Sequence, residues 1–125
     1  MAKSGKMGKV ELGEPGKEGC YLQVMMLDIP AEMEADFNRV YDTDHAARLS
    51  VVPGVRSVAR FQLESSSRTE NMPRFMAIYV LDSPAVMDTK EWQDAAAAGD
   101  WRPLIRPHTF NRENHVWRLM KTTKA

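Results

Sequence analysis

The sequence predicts an α+β fold with the element order βαββαβ, and three observations lead there. Four segments read as strands, near residues 20–29, 55–63, 74–81 and 112–120. Helical patterns fill the first and third gaps, from 31 to about 48 and from 84 to about 98, while the middle gap is short and polar. Phe75, Ala77, Tyr79 and Leu81 alternate with Met76, Ile78 and Val80, so that strand is apolar on both faces. The order is that of the ferredoxin-like arrangement, a four-stranded antiparallel sheet with two helices on one face. Two helices cannot cover both faces. The second face needs a partner, most simply a second copy of the same sheet, which predicts a homodimer closed into an α+β barrel.

The elements follow in order. Residues 1–19 are rich in glycine and lysine with little to bury, and are expected to be flexible. The domain spans 20–120 and a polar tail closes the chain at 121–125. Cys20 to Ile29, CYLQVMMLDI, is a near-continuous apolar run about one strand long. Pro30 suits a first helical turn, and Glu32, Glu34 and Asp36 follow where the helix dipole favours negative charge. Met33, Phe37, Val40 and Tyr41 form one apolar stripe. Pro53-Gly54 turns the chain into the second strand, where Val55, Ser57, Ala59, Phe61 and Leu63 alternate with Arg56, Val58, Arg60 and Gln62. ESSSRTENMP, residues 64–73, is a hairpin loop. Ser83 and Pro84 cap and open the second helix, which is expected to break near Thr89 and end at Gly99. WRPLIRP, residues 101–107, is expected to be irregular.

Composition narrows the class. A chain of 125 residues makes one domain with one core. Seventeen basic residues balance seventeen acidic ones, which gives no electrostatic reason to expect nucleic acid or an anionic membrane as partner. A single cysteine, Cys20, excludes an internal disulfide and agrees with a cytoplasmic location. No apolar run reaches the ~20 residues of a membrane span. The three histidines and the cysteine show no metal-ligand spacing, and neither a phosphate-cradling glycine loop nor GxSxG occurs. No metal and no cofactor is therefore expected. Nine methionines allow an adaptable apolar pocket, or simply fill the core.

His45 is the leading site residue. Its ordinary pKa of ~6.5 suits proton transfer at neutral pH. Asp42 and Tyr41, three and four residues earlier, are its helical neighbours. Asp42 is expected to orient the ring, and Tyr41 to donate a proton or bind an oxyanion. The structural alternative is a helix-end histidine serving the C-terminal carbonyls. Arg60 is a candidate to hold a carboxylate or phenolate. Tyr79 needs a hydroxyl partner if buried. His115 and Trp117 alternate along the last strand as candidate cavity residues, and Trp92 and Trp101 as packing around its mouth.

The stretch FNRVYDTDHAARLSVVPGVRSVAR, Phe37 to Arg60, resembles the EthD-like group of dimeric α+β-barrel proteins, which carry a Tyr-Asp-x-x-His helix, a Pro-Gly turn and a strand with arginine. Tyr41, Asp42 and His45, then Pro53, Gly54 and Arg60, occupy that pattern. PRFMAIYVLDSPAVMDTKEW, Pro73 to Trp92, resembles the group's third strand and second helix. The resemblance covers roughly residues 20–120 and implies the fold and the homodimer. The wider superfamily includes cofactor-free cyclases and isomerases, cofactor-free monooxygenases, haem-binding members and proteins without assigned activity. Together with His45, it implies a cofactor-independent cyclase, isomerase or lyase acting on a small apolar aromatic or polyketide-like molecule. The alternatives are a cofactor-free or haem-dependent monooxygenase, and a non-catalytic binding or accessory protein.

Overall fold

The computed structural model describes residues 20–123. The expected flexibility of residues 1–19 lies outside the described residues. Strand β1 (Tyr21–Asp28) leads into a 3-10 turn (Ala31–Met33) and helix α1 (Glu34–Val40). A π turn (Tyr41–His45) connects α1 to α2 (Ala46–Ser50), so the expected single helix runs on to residue 50 with one widened turn inside it. Strands β2 (Val55–Gln62) and β3 (Phe75–Leu81) form the hairpin. A 3-10 turn (Pro84–Asp88) and helix α3 (Lys90–Ala97) follow, interrupted at Thr89, whose extended backbone and hydroxyl cap α3 through the Trp92 amide. Ser83 caps the preceding turn through the Ala85 amide. Gly99 sits at φ +77°, as a helix-ending glycine does.

One sequence expectation fails here. The segment from Trp101 is not irregular: it forms a π turn (Trp101–Ile105) and a 3-10 turn (Arg106–His108) before strand β4 (Phe110–Arg118). Prolines suggested a break, but Trp101 and Ile105, four apart, both bury themselves and hold the turn.

The sheet order is β2-β3-β1-β4, all antiparallel at the observed pairings. Gln23, Met25 and Leu27 on β1 pair with Tyr79, Ala77 and Phe75 on β3, and these residues share the helix-covered face. The core lies there. Phe37 anchors it, packing edge-on to Phe75 at 5.0 Å and near Tyr41 and Trp101. The opposite face carries Leu22, Val24, Met26, Ala59, Phe61, Met76, Ile78, Val80, His115 and Trp117, and no helix among the described residues covers it. Trp117 remains 59% exposed and Phe61 42%. The Pro53-Gly54 turn uses φ +92° at Gly54, whose missing Cβ leaves room for Val86.

Candidate functional site

The π turn builds the site. The Ala46 amide donates to the Tyr41 carbonyl five residues back, and this widened turn buries both Tyr41 and His45 against the sheet and Trp101. Such turns recur at functional sites, because they cost hydrogen-bond quality and persist where they place a side chain. The His45 ring stacks on Trp101 at 4.8 Å and meets Tyr41 edge-on at 5.1 Å. Its Nδ1 is buried and has no hydrogen-bond partner. Burial pushes the His45 pKa down to about 4, Arg102 lowers it further, and Asp44 opposes them. At neutral pH the imidazole is therefore uncharged.

Trp101 reaches His45 because Asp44 holds its segment. The Asp44 carboxylate accepts from the Asp100 amide at 2.8 Å and from Arg48 Nε at 2.5 Å. The Asp100 hydrogen bond, then Arg48, keeps the Asp44 carboxyl below its ordinary pKa. Gly99 allows this approach, since a Cβ there would collide with the same carboxylate.

Tyr79 reaches up from β3 and shares a buried hydrogen bond with the Tyr41 hydroxyl. Burial raises Tyr41 to about 12 and Tyr79 well above 10. Both phenols stay protonated. One shared proton leaves the pair a second one to offer elsewhere.

Between helices and sheet lies a cavity of about 240 Å³. His45, Tyr79, Gln23 and Asn114 are among its polar lining residues. Gln23 Nε2 donates to Asn114 Oδ1 at 2.7 Å, while Gln23 Oε1 is buried without a partner. Met25, Met87, Trp92 and Trp101 give apolar walls, and Arg102, Arg106 and Arg112 stand at the exposed rim.

The structure brings Tyr41, His45 and Tyr79 together and gives Asp42 and Arg60 another relation. Arg60 donates to Asp42 at 2.7 Å and to Asn38 at 2.8 Å, and its guanidinium sits 4.9 Å from the Phe37 and Tyr41 ring centres. Asp42 thus holds Arg60 and does not orient His45; the carboxylate that acts on His45 is Asp44. Arg60 lines a void beside Tyr41 and not the larger cavity. His115 pairs with Val24 and Trp117 with Leu22, so strand alternation places both on the uncovered face, away from His45. Trp92 and Trp101 do line the cavity. Sequence reasoning missed Gln23, Asn114 and the three rim arginines. A lone glutamine in an apolar strand, and Arg102 and Arg106 at helical spacing behind Trp101, are the signals that find them.

Among the described residues, no group of His, Cys, Asp or Glu is placed to hold a metal ion, and no helix is long and apolar enough to cross a membrane.

No protein-family model and no curated protein matches the chain. Solved structures do. An ethyl tert-butyl ether D (EthD) family protein from Bacillus halodurans superimposes with a TM-score of 0.58 at 17% identity, over 80% of this chain and 99% of that one. A candidate monooxygenase from Shewanella loihica superimposes with a TM-score of 0.54 at 15% identity, over 86% of this chain and 100% of that one. At these identities the likeness shows the fold, a ferredoxin-like α+β sheet and helices, as the sequence predicts.

Proposed function

We propose that the chain is a small cofactor-independent enzyme that moves a proton on a small aromatic or polyketide-like molecule, in a cyclisation, isomerisation or lyase step. The observation that carries this reading is the unpartnered, buried Nδ1 of His45, a residue that lines the same cavity as Tyr79. A neutral imidazole accepts a proton from an acidic carbon of the substrate. The negative charge then grows on the substrate oxygen, where Tyr79 donates and Tyr41 polarises the donor. The imidazolium and the enolate form together, so each offsets the burial cost of the other. The EthD-type fold and the Tyr41, Asp42, His45 pattern agree with this reading. Asp42 serves it through Arg60, by fixing the ring of Tyr41.

The uncovered sheet face belongs to the same proposal. Leu22, Met26, Phe61, Met76, Ile78 and Trp117 form an apolar surface that a second copy of the chain would bury, closing the barrel.

Deuterium wash-in at the acidic carbon of aromatic 1,3-diketones, followed by NMR in D₂O, tests the chemistry. The wild type is expected to accelerate exchange, His45→Gln to lose ~100-fold or more of that acceleration, and Tyr79→Phe a smaller part. Full exchange activity in His45→Gln would sink the mechanism. Oxygen uptake by the same probes would move the assignment to the oxygenase class.

A further inference from the structure

We infer that the ligand of this cavity carries a carboxylate, held by Arg102, Arg106 and Arg112 while its apolar ring faces His45 and Tyr79. The inference rests on the site proposed above and names its substrate class: a small aromatic or conjugated carboxylic acid.

The observation is how the arginines are paired. Arg39, Arg48, Arg56, Arg60, Arg68 and Arg74 each have a carboxylate partner in the fold. Arg102, Arg106, Arg112 and Arg118 have none among the described residues. Three of those four converge on one cavity, and no Asp or Glu among the described residues lines it. In a chain with balanced charge, this is a local excess of permanent positive charge. Within it, positive charge meets positive charge. Burial and the charge of Arg106 weaken the hold of Arg112 on its proton, and Arg102 disfavours a charged His45. Among the described residues, Arg112 reaches Thr109 Oγ1 at 3.1 Å and the Met25 sulfur at 3.9 Å and no carboxylate. A planar carboxylate suits this arginine cluster, because guanidinium donors meet both of its oxygens at once.

Size and shape limit the rest of the ligand. About 240 Å³ is the space of roughly eight liquid waters and lies below the ~300 Å³ typical of drug-sized sites. Trp101 and Trp92 are among the aromatic residues that line the space a ring would enter. A bound anion also relieves the repulsion that Arg102 exerts on His45, so this ligand makes the imidazole a better base as it binds.

The test titrates the full-length protein with benzoate, salicylate, phenylacetate and cinnamate, and with the neutral isostere benzamide, read by tryptophan fluorescence and calorimetry. At least one carboxylate is expected to bind saturably, with benzamide at least ~10-fold weaker than benzoate-type acids. Arg112→Gln and Arg106→Gln should each weaken carboxylate binding ~10-fold or more, as expected for loss of a charge-assisted hydrogen bond. Arg118→Gln, an unpaired arginine outside the cavity, should leave it unchanged. Equal binding of acid and amide, no saturable binding by any of the four acids, or equal losses in Arg118→Gln and Arg112→Gln would each overturn the inference. If neutral phenols bind and perturb His45 while the acids do not, the proposed mechanism stands and the inference falls. If the acids bind through the arginines while His45→Gln keeps full exchange activity, the inference stands and the mechanism falls.

Discussion

Lowering the pH from 7 to 5 should weaken the fold through His45 alone. The unfolded chain takes up the His45 proton below its ordinary 6.5, but the folded chain takes it up only below about 4. Between those values the unfolded state binds more protons, so stability falls as pH falls. The gap, at about 1.36 kcal/mol per pH unit, caps the loss at about 3 kcal/mol, and about 2 kcal/mol of it is reached by pH 5. The other perturbed acids do not interfere. Asp44 and Glu113 are held below their ordinary values, and what they contribute fades mainly below pH ~5. Urea unfolding of wild type and His45→Gln at pH 7, 6 and 5, at one fixed protein concentration, isolates the effect, because the variant keeps His108 and His115. Wild type should lose about 2 kcal/mol more than the variant over this range. Parallel losses in the two proteins would refute the reasoning, and would mean that the folded state accommodates an imidazolium at position 45.

The Tyr41–Tyr79 hydrogen bond gives a second prediction. Tyr41→Phe and Tyr79→Phe should each cost about 1–3 kcal/mol, and the double variant less than their sum, because each single change strands a buried hydroxyl. Additive losses in chemical denaturation would argue against a coupled pair. Gly54→Ala should cost about 2 kcal/mol or more, since a Cβ at φ +92° meets Val86 Cγ2 at 2.5 Å; a thermal midpoint equal to wild type would contradict that geometry. Wild type is expected to sediment as the proposed dimer in analytical ultracentrifugation and Phe61→Glu with Trp117→Glu as a monomer, and a wild-type mass of one chain would refute the dimer.

How far the sequence reached depended on the range of each cue. The strands and the Ser83, Thr89 and Gly99 helix boundaries were legible because capping and alternation are local. His45 and Tyr41 were legible for the same reason, four apart on one helix face. The role of Asp42 was not. Helical spacing offers His45 the carboxylate of Asp42, three residues back, and not that of the adjacent Asp44, and only the distant Arg60 and Asp100 reverse that choice. Strand β4 shows the limit most clearly. Its alternation separates Arg112 and Asn114 from His115 and Trp117, but which set faces the helices depends on pairing with β1 across ninety residues of chain, as Gln23 and Asn114 show. The π turn at Trp101 was hidden by its prolines, and with it the convergence of Arg102 and Arg106 on the cavity.

The widened turn at Tyr41–His45 also sets the phase of everything after it. A π turn is a single residue inserted into an α-helical register, and each residue of an α-helix advances the face by about 100°. Deleting one residue within 41–45 would restore regular hydrogen bonding and straighten the helix. It would also rotate α2 by that angle, carrying Leu49 off the core. The insertion and the packing downstream are therefore locked to each other. A chain that lost the extra residue would have to rebuild α2, the Pro53-Gly54 turn and the seat of Trp101 before it folded again, so the least regular turn of the helix is among the hardest to alter.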